Sequence, residues 1–134
     1  AEQAPELCEV GAGLTLSPNA TRVLLALGLG ADLEAIASQP ERGAVRHYRT
    51  GAPFVVTERA DSTARFGAPY CQVHRADLHA ALAATVTAHD PDAIRLDHAF
   101  RALHDDGSRV RLEFANGTSF DTAWTVVTSF SHGG

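Results

Sequence analysis

Methionine and lysine are both absent from this sequence of 134 residues. A complete, unprocessed reading frame would begin with methionine, so we expect protein sequence upstream of Ala1. Arginine supplies all 11 basic side chains without forming a basic run, and 16 acidic residues bring the net charge to −5. Such a chain is a poor candidate for binding the phosphate backbone of a nucleic acid.

Long apolar runs and a basic-then-apolar leader are also missing, so we expect neither a membrane span nor a secretory signal. The two cysteines, Cys8 and Cys71, match no CxxC pattern, which argues against a zinc site or a disulfide framework. Two buried thiols in a reducing cytoplasm are the simpler interpretation. We also predict no metal site among the seven histidines, because His74 and His79 are five residues apart rather than four.

The composition that remains, 45% hydrophobic and 20% charged, is typical of a globular domain. Helical periodicity predicts three helices. The first covers residues 17–27, where Ser17 and Pro18 form a start signal and one apolar face recurs at helical spacing (Ala20, Val23, Leu24 and Leu27). A short second helix, capped by Asp32, covers 32–38, and the clearest helix covers 74–88.

Strand-like segments fill most of the remaining chain. Two hairpins are predicted, one from residues 44–49 and 54–58, the other from 99–104 and 109–114 across Asp105-Asp106-Gly107. The other predicted features are a polar loop over 59–69, extended runs at 70–73 and 94–96, a tight turn at Asn116-Gly117 and a last strand at 124–128. This order predicts a mixed α/β (α+β) fold with an antiparallel meander, in one domain without repeats or linkers.

Arg75 is the residue with the least obvious structural role. It falls in the first turn of the predicted helix over 74–88, where the helix dipole disfavours a cation by up to about 1 kcal/mol. One interpretation is an exposed arginine balanced by Asp77; the other is an anion held at this helix end by backbone N–H groups and Arg75. Asp105 and Asp106 are explained by their turn. We identify no catalytic acid, base or nucleophile.

Three segments carry a family resemblance. They are Glu2 to Leu7, Glu9-Val10-Gly11-Ala12-Gly13-Leu14 followed by Leu16-Ser17-Pro18-Asn19-Ala20, and His74-Arg75-Ala76-Asp77-Leu78. Together they resemble the single-component, FAD-dependent aromatic hydroxylases of the salicylate hydroxylase and para-hydroxybenzoate hydroxylase type. The resemblance covers residues 1–127 and implies a partial Rossmann-like FAD-binding domain over residues 1–134.

Two family features have no counterpart in these residues. The G-x-G-x-x-G turn that cradles the pyrophosphate lies upstream of the position of Glu2 in the family. The family's Gly-Ala-Asp-Gly motif is replaced here by Thr128-Ser129-Phe130-Ser131. The substrate-binding half of the family is missing as well. We therefore expect an internal fragment of the FAD-binding domain that in isolation binds FAD weakly or not at all and is inactive.

The resemblance also implies which residues contact FAD. Glu2 matches the carboxylate that binds the adenosine ribose, and Arg75 matches the arginine near the pyrophosphate and ribityl chain. The loop of Val10, Gly11, Ala12 and Gly13 would run beside the flavin, where small residues permit close approach. Phe100, on the strand beside adenine, is the last candidate. Glu2, the loop and Arg75 would then line one cleft.

The implied function is that of a cytoplasmic, FAD-dependent monooxygenase. Such enzymes reduce FAD with NADH or NADPH, react with oxygen and hydroxylate a small aromatic substrate; the flavin carries the chemistry. Two alternatives stay open: a stand-alone, non-catalytic binding module derived from this fold, or the remnant of a gene. A surface left uncovered in the fragment would favour a partner or a homo-oligomer.

Overall fold

The computed structural model describes residues 1–7 and 12–123. In these residues it has four helices and eight strands, and the strands form three small antiparallel sheets. The helices are α1 (Pro18–Ala26), α2 (Gly30–Ile36), α3 (Ser62–Phe66) and α4 (Arg75–His89). The strands are β1 (Gly13–Leu16), β2 (Ala37–Ser38), β3 (Arg42–Arg46), β4 (Pro53–Glu58), β5 (Cys71–His74), β6 (Phe100–Asp105), β7 (Val110–Phe114) and β8 (Ser119–Thr122). This content confirms the predicted mixed class.

The chain divides into two compact units. One unit is Cys8–Pro91, and the other combines Ala1–Leu7 with Asp92–Gly134. In the first unit β5 lies between β1 and β2, and it buries Cys71 and Val73 while Gln72 and His74 face outward. A small core forms around this strand from Leu16, Leu33, Cys71, Val73 and Leu78. The alternation along β5 therefore places one face of the sheet against α2 and α4.

Helix α1 begins as the sequence predicts, with Ser17 as N-cap and Pro18 in the first turn. Its predicted apolar face is partly wrong, because Val23 and Leu27 are 58% and 59% exposed. Thr21 is buried instead, since its hydroxyl donates to the backbone carbonyl of Pro69 at 2.6 Å. A satisfied hydroxyl can be buried at little cost, so the helix is rotated about its axis relative to the prediction.

Two other predicted boundaries are wrong in the first unit. Helix α2 starts at Gly30 with Leu29 as N-cap, so Asp32 lies in the first turn and is not the cap. Leu29 is completely buried and accepts the Leu33 N–H through its carbonyl, which starts the helix before Asp32. The helix also ends at Ile36, because Ala37 and Ser38 pair with β5 as strand β2.

Strand β3 starts and ends earlier than predicted, whereas β4 starts one residue early and ends at Glu58 as predicted. The hairpin connection begins at His47, whose Nδ1 accepts the N–H groups of Arg49 and Thr50 at 3.2 and 3.3 Å. The predicted polar loop over 59–69 contains helix α3, which the sequence analysis missed. Ser62 begins this helix, is buried, and donates its hydroxyl to the Arg59 carbonyl at 2.6 Å.

In the second unit, β6, β7 and β8 form the predicted meander. Gly107 and Gly117 occupy its two tight turns with φ of 85° and 84°, as predicted. Strand β8 was not predicted, and the predicted strand over 124–128 lies outside the described residues. The predicted extended run over 94–96 is not a strand in the structure.

Candidate functional site

The first unit brings Arg75 and the Ala12–Gly13 loop together. Strands β1 and β5 pair with Gly13 opposite His74, and the Arg75 N–H donates to the Ala12 carbonyl at 3.0 Å. Arg75 is thus the first residue of α4 and lies beside the loop that leads into β1. The sequence motifs indicated both the loop and Arg75 as site residues, but the pairing of β1 with β5 is what makes them neighbours. Val10 and Gly11 lie outside the described residues.

The start of α4 has the chemistry of an anion site. His74 caps the helix through its backbone only, without a side-chain hydrogen bond to the first turn. The 15-residue helix directs its partial positive charge to this end, where Arg75 is exposed. Asp77 lies in the same turn and stabilises it through the helix dipole. The first turn of α4 is therefore compatible with both interpretations of Arg75: a cation balanced by the Asp77 carboxylate, and a cation that helps to bind an external anion.

Gly13 is open to close approach. A Cβ built on this residue meets no heavy atom within 4 Å, and its φ lies outside the left-handed region. The protein's own packing therefore does not require glycine here. An exposed strand residue without a side chain leaves the backbone accessible to a planar ligand.

Glu2 lies in the second unit and is held by three hydrogen bonds. Its N–H donates to the Arg95 carbonyl at 2.7 Å, and its carbonyl accepts the His98 N–H at 2.8 Å. Its carboxylate Oε1 accepts the Ala4 N–H at 3.0 Å. The resemblance matches Glu2 to the acid at the end of the family's second strand, but residues 1–7 contain no strand. Glu2 is nevertheless held by backbone hydrogen bonds to the segment that precedes β6.

Phe100 is the first residue of β6 and pairs with Phe114. It is 48% exposed, and the ladder is irregular between Phe100 and Ala102. Glu2 and Phe100 therefore belong to one unit, since Glu2 is bonded to His98, two residues before Phe100. Arg75 and the loop belong to the other.

A further group of polar side chains was missed by the sequence reasoning. A cavity of about 310 Å³ is lined by six polar residues that the sequence leaves unconnected: Gln39, Glu41, Arg59, Ser62, Thr63 and Tyr70. The Arg59 guanidinium stacks on the Tyr70 ring. Because the sequence pattern of 59–69 indicated only a polar loop, no local signal linked these residues.

Two chemical classes of site find no support in the described ranges 1–7 and 12–123. No group of three histidine, cysteine or acidic side chains comes close enough there to hold a metal ion. No helix in those ranges has the length and apolar character needed to cross a membrane.

Comparison with solved structures identifies the fold class. The chain superimposes on HpxO of Klebsiella pneumoniae, solved with FAD and uric acid, with a TM-score of 0.73 and 22% identity. The match covers 90% of this chain and 30% of that protein. The described residues thus share the fold of part of HpxO, a protein that was solved with FAD.

Comparison with sequences identifies the relatives. The chain is 40% identical to a 3-amino-4-hydroxybenzoate 2-monooxygenase of Streptomyces platensis, over 93% of its own length and 31% of the relative. It is 30% identical to a 6-hydroxynicotinate 3-monooxygenase of Bordetella bronchiseptica, over 87% of its length and 30% of the relative. No protein-family model matches. The chain is homologous to a segment of the FAD-dependent aromatic monooxygenases, as its motifs predicted, and it spans about a third of these relatives' length.

Proposed function

We propose that residues 1–134 form part of the FAD-binding domain of a monooxygenase that uses NADH or NADPH and hydroxylates a small aromatic molecule. The observation that carries this proposal is the bond between the Arg75 N–H and the Ala12 carbonyl. It joins the two segments that carry the family motifs at the start of a long helix. Homology over 93% of the chain supports the same conclusion.

The residues at this place are suited to FAD. The pyrophosphate is an anion, and the first turn of α4 offers backbone N–H groups, the helix dipole and Arg75. The open backbone at Gly13 permits the close approach of a planar ring. We assign Arg75 to the pyrophosphate and ribityl region, and the loop of residues 10–13 to the flavin side. When bound, FAD would supply the redox chemistry with oxygen.

In the second unit we assign Glu2 to the adenosine ribose and Phe100 to the adenine side. The Glu2 carboxylate accepts the Ala4 N–H through one oxygen, and it can accept ribose hydroxyls through its other lone pairs. The backbone bonds from Glu2 to Arg95 and His98 hold this carboxylate in place. We further propose that both units belong to one FAD-binding domain.

The alternative, a non-catalytic binding module, has one observation in its favour. The hairpin of β3 and β4 exposes large apolar side chains, with Val45 62%, Phe54 69% and Tyr48 83% exposed. An apolar surface of this kind is covered by another part of a protein, a partner or a second copy. The proposed enzyme and the module both place the chain in the cytoplasm, where a free thiol such as Cys71 stays reduced.

The test is a hybrid protein. In it, residues 1–134 replace the matching segment of the Streptomyces platensis relative, which restores the rest of the enzyme. We expect the purified hybrid to retain FAD and to consume NADH or NADPH in the presence of an aromatic substrate. Arg75→Ala should weaken FAD binding by about 1–3 kcal/mol, the range for a hydrogen bond to a charged group. The control Arg65→Ala removes an exposed arginine of α3 and should leave FAD binding unchanged.

A second pair of variants tests the loop. Gly13→Val should lower FAD retention without lowering the melting temperature of the FAD-free protein, because only the cofactor competes for the space beside this residue. Gly30→Ala is the matched control, since its Cβ makes only an ordinary contact of 3.5 Å with Leu25. A folded hybrid without FAD would contradict the proposed function. Unchanged FAD binding in both Arg75→Ala and Gly13→Val would contradict the assigned site. The 134-residue chain alone should bind FAD weakly in a fluorescence titration.

A further inference from the structure

The polar cavity beside Arg59 belongs entirely to the first unit. Its walls are the segment between β2 and β3, the two residues that follow β4, helix α3 and the residues before β5. Its volume of about 310 Å³ is at the lower end of the range of small-molecule sites. Six side chains with polar groups line it, so the cavity is suited to a small ligand with at least one charged or hydrogen-bonding group.

Arg59 is the only cationic side chain of that lining, and its guanidinium is held by two contacts. The guanidinium carbon lies 3.9 Å from the centre of the Tyr70 ring. A Cβ placed on Gly43 would lie only 2.8 Å from the same carbon, so the guanidinium packs directly against the Gly43 backbone. Neither contact uses the N–H groups of the guanidinium as ordinary hydrogen-bond donors.

The main chain of Arg59 is fixed as well. Its N–H and that of Ala60 both donate to the Glu41 carbonyl, at 2.8 and 3.1 Å. Its carbonyl accepts the hydroxyl and the N–H of Ser62, at 2.6 and 3.0 Å. The base of the side chain is therefore anchored to β3 and α3, and the stacked guanidinium is preorganised.

The guanidinium donors of Arg59 have no hydrogen-bond or ion-pair partner within residues 1–7 and 12–123. Other arginines are paired: Arg42 with Glu58 at 2.9 Å and Arg111 with Asp121 at 2.7 Å. Arg59 is also partly buried, and a partly desolvated cation without an anion is unfavourable. Its donors are thus available to a ligand that brings a negative charge.

We propose that this cavity binds a small planar carboxylate, with Arg59 as its anchor. The flat guanidinium matches a carboxylate with two parallel hydrogen bonds. The Thr63 and Tyr70 hydroxyls, both on lining residues, offer further donors. A carboxylate fits better than phosphate, because the lining has one cation and also contains Glu41, which repels a second negative charge. This proposal goes beyond the flavin function, since it concerns other residues and can be tested without flavin.

The test is equilibrium binding to the 134-residue chain, followed by chemical-shift changes in NMR spectra. Benzoate is the probe, benzamide is its neutral isostere, and inorganic phosphate is the competing anion. We expect saturable binding of benzoate, with chemical-shift changes at Thr63 and Tyr70. Benzamide should bind at least about tenfold more weakly than benzoate, and phosphate should not reach saturation. Equal binding of benzoate and benzamide, tighter binding of phosphate, or no saturation by benzoate would each overturn the proposal.

Three variants test the anchor itself. Arg59→Gln should weaken benzoate binding about tenfold or more, whereas the control Arg65→Gln, in the neighbouring helix α3 but outside the lining, should not. Gly43→Ala keeps the charge of Arg59 but displaces its guanidinium. Because only the end of this flexible side chain must move, the fold should persist while benzoate binding weakens. If Arg59→Gln does not fold, Gly43→Ala and the ligand series decide. Unchanged benzoate affinity in Gly43→Ala and Arg59→Gln would refute the assignment.

Discussion

Replacing Thr21 by valine tests how α1 is attached to the rest of its unit. The Thr21 hydroxyl lies 2.6 Å from the Pro69 carbonyl and 2.9 Å from the Ser17 carbonyl, and the side chain is completely buried. Valine has nearly the same shape, so the change removes the hydroxyl without opening a cavity. The Ser17 carbonyl keeps the N–H groups of Ala20 and Thr21 as donors.

The Pro69 carbonyl has no other donor among the residues that the structure describes. Pro69 is half-buried, but a valine methyl group at the buried position 21 would face its carbonyl in place of the hydroxyl. The loss of the partner should therefore cost about 1–3 kcal/mol, the range for a polar group that is left without a hydrogen bond. Thr21→Ser is the matched control, because it keeps the hydroxyl and loses one methyl group, at a cost of about 1 kcal/mol.

Urea unfolding followed by circular dichroism at 222 nm measures this cost. The four helices of the described chain all lie within Cys8–Pro91, so the helical signal reports on the unit that contains Thr21. The valine variant should unfold at a lower urea concentration than the serine variant or the unchanged chain. A valine variant within about 0.5 kcal/mol of the unchanged chain would refute the reasoning, because surface substitutions without a specific role fall in that range.

Three further outcomes follow from local geometry. Burial raises the pKa of the Cys71 thiol, so less of the reactive thiolate forms at pH 8. In a Cys8→Ser variant a thiol reagent should therefore label Cys71 slowly in the folded protein and rapidly in urea, and equal labelling rates would contradict the burial of Cys71. The Arg111 hydrogen bond lowers the pKa of Asp121 below 3.8, so the stability from this pair is present above about pH 4 and lost as the pH falls through the lower folded-state value. Asp121→Asn should therefore reduce the loss of stability between pH 5 and pH 2, measured by urea titrations followed by NMR signals of the β6–β8 meander. Gly107→Val should lower stability by about 1 kcal/mol or more in thermal unfolding, because φ is 85° there; no change in melting temperature would show that the turn relaxes freely.

Elements with strong local signals were predicted well. Helix α4 follows from its periodic apolar residues and its stop at Asp90-Pro91, and α1 follows from Ser17-Pro18. The meander turns follow from Gly107 and Gly117, because both positions require a left-handed conformation that glycine adopts without strain. In each case, the determining residues lie within a few positions of the element.

Elements that depend on distant contacts were missed or misplaced. Helix α3 depends on the buried Ser62, and the start of α2 depends on the burial of Leu29. The exposure of Val23 and Leu27 follows from the bond between Thr21 and Pro69, which lies far along the chain. Periodicity cannot reveal such choices, because several helix faces of similar apolar character compete until tertiary packing selects one.

Short stretches of the sequence were enough to predict the homology to FAD-dependent aromatic monooxygenases, the mixed fold class and the residues that carry the motifs. Three contacts could be seen only in the folded chain: Arg75 against Ala12, the backbone bonds from Glu2 to the segment before β6, and Arg59 stacked on Tyr70 beside Gly43. Those three contacts join residues far apart in sequence. They form because strand pairing and burial of a small core determine which loops meet, and no local pattern encodes that outcome.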